Sequence, residues 1–548
     1  MKRLFLVESP TKIKTLKKIL EKQVEQFTFL ATLGHIKDLP TNNLGIDLNS
    51  FEPKLIFLPS KLKLLHKIKK ILPQIEEVFL ATDPDREGEA ISMHLYEYLR
   101  GKKKSLVFKR LELREITPHG LKEALKKTRE IDKNLYQSWK ARRVLDRLIG
   151  YLVSPKLSQS FRQNLSAGRV QSPALKLIVD REREIENFVP QKSFSLSVAL
   201  SGANNEIYIF ELFSKNKLFR TKTKEELLTF FVNFLSQREV TIFDLIEKVV
   251  KKLPPQPLKT STLIELGERL LNLQPKETMF IAQGLYEKGY ITYMRTDSVR
   301  VSPLAKNMAR KFIEKVFGST YVGGERRLKV KGKIQDAHEC IRPTNLETDL
   351  RGLSSNERAL YGVIHTYFLA SQMKEALFRE RKFIAKSEGL PQGFTLQLKE
   401  RVMLFDGFLK VLKEKELSSQ SYPLYVGCKL RVCGYEIKEH ESKPPERYTP
   451  QSLIKKLEAL GIGRPSTYPI IIDILLKRGY VVLEGRWLKP TELGKKVCDY
   501  LSQEFCCLME YSLTSELENA LDTLAQGQAN YQLIIKKYYN LLKEYLTK

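Results

Sequence analysis

Three carboxylates at alternating positions, Asp83, Asp85 and Glu87 in "LATDPDREGEA", form a dense cluster of groups able to do chemistry. They follow "EEVFLATD", an apolar run that reads as a buried strand. In α/β sheets the crevice beyond the carboxyl ends of strands is where ligands bind. Carboxylates converging there repel one another, and a hard divalent cation with oxygen ligands relieves that repulsion. Glu8 ends an earlier run, "RLFLVES", and could enter the same crevice. A second reading stands beside this one: Asp83 or Asp85 caps the following helix and favours its positive dipole end.

A different chemistry is offered by "KGYITYMRTDS", where Tyr290 and Tyr293 precede Arg295 and Asp297. If the segment is extended, alternate residues share a face. Tyr293, Arg295 and Asp297 then lie together, and Tyr290, Thr292 and Met294 point the other way. A tyrosine attacking a phosphodiester needs a cation beside the phosphate, and Arg295 is placed to supply one. Phenol ionises near pH ~10, so its anion lies ~4 kcal/mol out of reach at neutral pH. Positive charge and a proton acceptor must make up that difference. With 23 tyrosines in the chain, packing is the ordinary expectation for any one of them.

Two further stretches carry donors. In "SWKARRVLDRLIGYLVSP", Arg143, Arg147 and Tyr151 fall four apart on one helical face, and Leu145, Leu148, Ile149 and Leu152 form a separate apolar stripe. Arg142 and Asp146 are spaced to brace each other. Guanidinium groups beside an aromatic ring suit an unpaired base; the alternative is a solvated charged face. In "LSAGRVQSPAL", the small residues Ser166, Ala167 and Gly168 permit close backbone approach, Arg169 and Gln171 offer donors, and a helix entry would present N–H groups to phosphate.

The whole chain must position these groups. Its 548 residues suggest roughly four structural units. A net charge of +29 points to a polyanion, nucleic acid by default, although a lysine-rich surface or anionic lipid would also account for it. The six cysteines, Cys340, Cys428, Cys433, Cys498, Cys506 and Cys507, form no C-x-x-C pair, so no zinc site is expected. They suit a reducing, cytoplasmic setting. No apolar run approaches a membrane span, Glu8 comes too early for a signal peptide, and no Walker-type loop supports the use of ATP.

Residues 1–133 alternate strands and helices, with Ser9 and Pro10 suited to open the first helix, which argues for a mostly parallel sheet. Helical periodicity covers 134–187, strands lead to about 250, and a proline-rich hinge opens a helical region. Strands return near 380–445, and helices dominate from Thr449 onward. Some domains are therefore assembled from separated segments.

Glu8 followed by D-x-D-x-E resembles the toprim domain shared by topoisomerases, primases and related nucleases, which implies Mg²⁺. Adding "ARRVLDR", "SAGRVQS", "YITYMRTDS", "AHECIRPT" and "LGIGRPSTY" in that order, nearly the whole chain resembles a type IA DNA topoisomerase. "YMRTDS" and "HECIRPT" are more similar to the bacterial topoisomerase I branch than to topoisomerase III or reverse gyrase. The resemblance implies a multidomain α/β, α and β fold enclosing a toroidal hole. A toprim metal domain would span 1–133, a helical DNA-binding domain 134–187 and 447–548, a β-rich arch 188–252 and 379–446, and a helical tyrosine domain 253–378. It implies a cytoplasmic, nucleoid-associated monomer that relaxes negatively supercoiled DNA without ATP, zinc or a membrane, by transient cleavage of single-stranded segments. A decatenase of the topoisomerase III kind, a toprim nuclease and a single-strand-binding protein are the competing readings.

Residue by residue, the resemblance makes Tyr293 the nucleophile and Arg295 the phosphate stabiliser. Lys12 would protonate the leaving 3′ oxygen, with a salt pair to Glu8 as the plain alternative. His338 would bind phosphate. Glu8, Asp83, Asp85 and Glu87 would hold Mg²⁺. Arg142, Arg143, Asp146, Arg147 and Tyr151 match a strand-binding helix. His35, Ser166, Gly168, Arg169, Gln171, Gln283, Glu287, Thr296 and Arg464 match further DNA-contacting positions. The family often continues into zinc ribbons or a basic tail, which this sequence does not show before Lys548. Cys340 stands where alanine is common.

Overall fold

The structure is a computed structural model that describes residues 2–202, 205–228, 239–325, 339–413 and 421–546. At the N-terminus, Leu4, Phe5, Leu6 and Val7 are all buried. A strand that is apolar on both faces belongs in the middle of a parallel sheet covered by helices. Strands Lys2–Val7, Phe27–Ala31, Ile75–Leu80 and Val107–Arg110 form such a sheet, with Lys2–Val7 and Ile75–Leu80 side by side at its centre. All three pairings are parallel, and Leu6 stands opposite Leu80. That register delivers Glu8 and Asp83 to the same edge. Ser9 accepts the Lys12 N–H and Pro10 opens the helix Pro10–Ile19, which fixes Lys12 one turn beyond Glu8.

The helix Lys133–Leu152 buries Ala141, Val144, Leu145 and Leu148 against the helices Tyr511–Ala525 and Tyr531–Leu546. The helix Gln171–Glu186 follows the glycine turn. Helices Thr260–Leu271, Pro275–Glu287, Pro303–Phe317 and Ser355–Gln372 flank the tyrosine segment in the chain. Helical structure resumes at Pro450–Ala459. Helices dominate from there onward, as expected, with one short hairpin among them where Val481–Glu484 and Trp487–Pro490 pair. Gly485, at φ +62°, supplies the left-handed backbone for its turn.

Between these helical regions, strands from two distant stretches share one antiparallel sheet. Lys192–Ser201, Ile207–Ser214, Lys217–Leu218 and Glu239–Lys252 come before the tyrosine segment; Ala376–Lys386, Phe394–Phe405 and Lys429–Glu441 come after it. Phe394–Phe405 also pairs with Ile207–Ser214, so the sheet closes on itself around Leu196, Phe210, Leu212, Phe383 and Leu396. One of the joins between the stretches is the ladder from Thr241 opposite Lys386 to Lys252 opposite Ala376. Among the described residues, no helix is long and apolar enough to cross a membrane.

Candidate active site

Asp83 lies just past the strand Ile75–Leu80, and its backbone N–H donates to Glu8 Oε1 at 3.1 Å. Its carboxylate takes an ion pair from Lys12, which is wholly buried. Burial pulls the Lys12 ammonium down, but the charges of Asp83 and Glu8 more than offset this and its net shift is upward. The lysine therefore pairs with Asp83, and Glu8 acts on it through charge. Burial and the neighbouring charges of Asp83 and Asp85 push Glu8 up to about 8. Gln283 reaches both Glu287, at 2.9 Å, and Asp83, at 3.4 Å.

Asp85 caps the helix Arg86–Arg100 by accepting the Gly88 N–H at 2.9 Å. Its other oxygen accepts the Tyr293 hydroxyl at 2.5 Å and Arg295 at 3.3 Å. Burial alone would raise Asp85, but the Arg295 charge and the bonds from Tyr293 and Gly88 hold it below the usual carboxylate range. The capping reading and the reactive-site reading thus meet in one residue.

Glu87 corrects the expectation of three converging carboxylates. Alternation shares a face only in extended chain, and the helix begins at Arg86. The turn carries Glu87 to His35 at 2.6 Å and to the Trp139 indole N–H at 2.9 Å. Among the described residues no three such side chains ring an ion. The donors still fit a hard cation: they are carboxylate oxygens, and Glu8 is buried beside two others with its charge disfavoured.

The segment around Tyr293 forms no named strand, only an isolated bridge from Ile291 to Pro343. Its N–H groups nevertheless alternate as in extended chain, Thr292 donating to the Arg342 carbonyl and Tyr293 to that of Arg114. Tyr293 and Arg295 consequently share Asp85, whereas the Tyr290 hydroxyl goes to the Asp349 carbonyl at 3.2 Å. Asp297 lines the cavity on the Arg295 side. Tyr293 is 3% exposed, and burial with the Asp85 and Asp83 charges lifts its phenol well above the ordinary value against the pull of Arg295. His338 lies outside the described residues.

Against known proteins, residues 3–116 match the Toprim domain family and residues 130–536 a family described as DNA topoisomerase. The chain is 40% identical to DNA topoisomerase 1 of Thermotoga maritima, over 98% of this chain and 84% of that protein. The chain belongs to the bacterial type IA DNA topoisomerases. It is also 39% identical to DNA topoisomerase 1 of Aquifex aeolicus, over 98% of this chain and 97% of the relative. The solved full-length topoisomerase I from Thermotoga maritima superposes with a TM-score of 0.87 at 38% identity, covering 99% of this chain and 90% of that one.

In this topoisomerase the arginine helix faces protein rather than solvent alone. Arg143 holds Asp38 with two bonds at 2.6 and 2.9 Å, Arg147 reaches the Pro40 carbonyl, and Tyr151 reaches that of Thr41. Arg142 bonds Ser466 at 3.3 Å and stands 3.9 Å from Asp146. The closer partner of Asp146 is Arg169 at 3.1 Å, which is buried and also holds Glu518 at 2.6 Å. Arg169 is therefore a brace beneath the groove. Gly168 N–H turns to Ser172, Ser166 N–H to the Tyr480 hydroxyl, and Gln171 donates back to the Ser166 carbonyl. A groove lined by His35, Trp139, Arg142, Arg143, Gly168 and Gln171 runs between these elements. Thr296 is buried, its N–H held by Thr260, and Arg464 reaches Asp522.

Sequence reasoning missed Arg110, which is fully buried and donates to the Leu80, Thr82, Asp83 and Leu111 carbonyls and to Glu89. No spacing signal marked it, because Glu89 and the Leu80, Thr82 and Asp83 carbonyls lie 21 to 30 residues away. Trp139 and His94, whose rings meet edge to face at 5.2 Å under His35, were also missed.

Proposed function

We propose that this chain relaxes negatively supercoiled DNA by cutting one strand, passing another through the break and resealing it. The observation that carries the reading is the Tyr293 hydroxyl and the Arg295 guanidinium on one Asp85 oxygen. A phosphodiester beside Arg295 would be within reach of the phenolic oxygen. The Tyr293 oxygen forms the new bond to phosphorus and the bond to the 3′ oxygen breaks, leaving a 5′-phosphotyrosyl link. The phenolic proton moves toward Asp85, its hydrogen-bond acceptor. Lys12, held charged by Asp83, is the proton source for the departing 3′ oxygen. Arg295 stabilises charge developing on the phosphate.

Glu8, Asp83 and Asp85 would hold Mg²⁺, with Glu87 reaching it only by leaving His35; when bound, the ion neutralises their charge and steadies DNA phosphate. One phosphodiester replaces another, so resealing runs the same steps backward and needs no ATP. The groove along the arginine helix would bind the single strand beside the cut. We read the chain as a monomer acting in the cytoplasm, with its tyrosine region and N-terminal sheet parting to admit the passing strand.

Relaxation of negatively supercoiled plasmid with Mg²⁺ and without ATP tests this, paired with denaturing gels of labelled single strands. The native chain and Tyr290→Phe should relax the plasmid and leave protein on the 5′ side of the break; Tyr293→Phe should do neither. Relaxation by Tyr293→Phe, or free DNA ends without attached protein, would refute the reading.

A further inference from the structure

The cavity beside Asp85 is lined, among the described residues, by four arginines and four carboxylates. Asp85 and Glu87 have partners in the site described above, but Asp522 enters from the helix Tyr511–Ala525, far away in sequence. One of its oxygens takes Arg86, which stands between the two acids at the start of its helix. The other takes Arg464, through Nη2 at 2.7 Å and Nε at 3.1 Å. Arg464 Nη1 is fixed by the carbonyls of Gly463 at 2.7 Å and Gly461 at 3.1 Å, and its other edge, which also meets Asn519 Oδ1 at 3.4 Å, is held in one orientation beside the cavity. Arg86 Nε is buried and has no acceptor among the described residues.

One guanidinium on each oxygen of a single anion is also how two arginines grip the non-bridging oxygens of a phosphodiester. We propose that Asp522 is a positioning residue that stands in for a backbone phosphate of the DNA strand, holding Arg86 and Arg464 apart and aimed until a phosphate replaces it. The inference rests on the reading that the strand enters this cavity beside Tyr293 and Arg295. It adds a competitor to that reading: each strand must exchange two carboxylate–guanidinium contacts for two phosphate–guanidinium contacts. Arg86 then couples strand binding to the acid loop, since its chain neighbours are Asp85 and Glu87.

The sign of one affinity change decides the matter. Binding of a short single-stranded oligonucleotide is measured with every variant in a Tyr293→Phe background, so that no cutting intervenes. Asp522→Asn should bind on the order of tenfold tighter, about the worth of one charge-assisted hydrogen bond. Its log affinity should fall more steeply with log salt, by about 0.7, because the parent recruits a cation to the displaced carboxylate. Asp522→Glu should return binding to the parental value, and Arg86→Gln with Asp522→Asn should lose the gain. Unchanged or weaker binding by a folded Asp522→Asn would overturn the proposal and leave a plain structural clasp. If that variant melts early, Arg86→Gln alone decides, because a clasp without a ligand role leaves its binding unchanged. Tighter binding by Asp522→Asn without any covalent adduct in the native chain would keep this inference and sink the cleavage reading.

Discussion

The closed sheet and the junction of the N-terminal sheet with the tyrosine segment both pair charged groups, but by different rules. In the closed sheet the partners sit on neighbouring strands, directly opposite or diagonal in register, the latter as with Lys192 and Glu439. Arg381 faces Glu400 and holds it at 2.5 and 2.7 Å, and Lys248 faces Glu380 at 3.4 Å. At the junction the partners come from remote segments, as with Lys12 and Asp83 or Tyr293 and Asp85, and single carboxylates are shared. Asp85 alone serves a helix end, a phenol and a guanidinium. Pairs set by register stabilise one structure. Shared carboxylates can change partners with small movements, and proton transfer or exchange for phosphate requires that freedom.

Substitutions should separate the regions, beginning with the largest effect. Tyr293→Phe should abolish relaxation and covalent adduct while leaving the melting temperature within a few degrees of the parent. An adduct surviving in that variant would place the nucleophile elsewhere. Arg110→Met should cost about 3–5 kcal/mol in urea unfolding, because it leaves Glu89 short of a partner and strips the acid loop of its clamp. A loss under about 1 kcal/mol would show that the loop carbonyls find other donors.

His94 comes next. Burial first, then the charges of His35 and Lys37, bring its ring from the ordinary 6.5 down to about 3. The folded state thus binds fewer protons than the unfolded state between those values, so this stability is present above pH 6.5 and is lost on acidification toward pH 3. His94→Phe should remove about 2 kcal/mol of the stability difference between pH 7 and pH 5. Identical acid sensitivity in parent and variant would mean that another group dominates. Lys248→Ala, in the register-paired region, should change stability by under about 0.5 kcal/mol and leave relaxation intact. A larger effect would erase the distinction between the regions.

Much of the fold was legible because local rules governed it. Ser9 and Pro10 announced the first helix, and alternating apolar runs announced the parallel sheet. The choice of Tyr293 over Tyr290 rested on the family resemblance and on parity, and the alternation behind that parity is present because successive N–H groups bond on opposite sides even without a regular strand. Glu87 was misplaced because the same parity was carried across a strand-to-helix boundary. Arg110, Trp139 and Asp522 were invisible for another reason: their partners lie tens to hundreds of residues away, and spacing carries no information about such contacts. The grip of Asp38, Pro40 and Thr41 on the arginine helix belongs to the same class.

One join described in the fold has an engineering consequence. Lys252 and Ala376 are ladder partners, so the chain leaves the closed sheet and returns to it at points ~5 Å apart. Topologically, residues 253–375 form a single long excursion from one hairpin. A two-residue turn between Lys252 and Ala376 would restore that hairpin and delete no strand of the closed sheet. The tyrosine-bearing region is therefore tied covalently to the closed sheet at one doorway, a pair of adjacent strands, although its core is shared with the N-terminal sheet and the C-terminal helices.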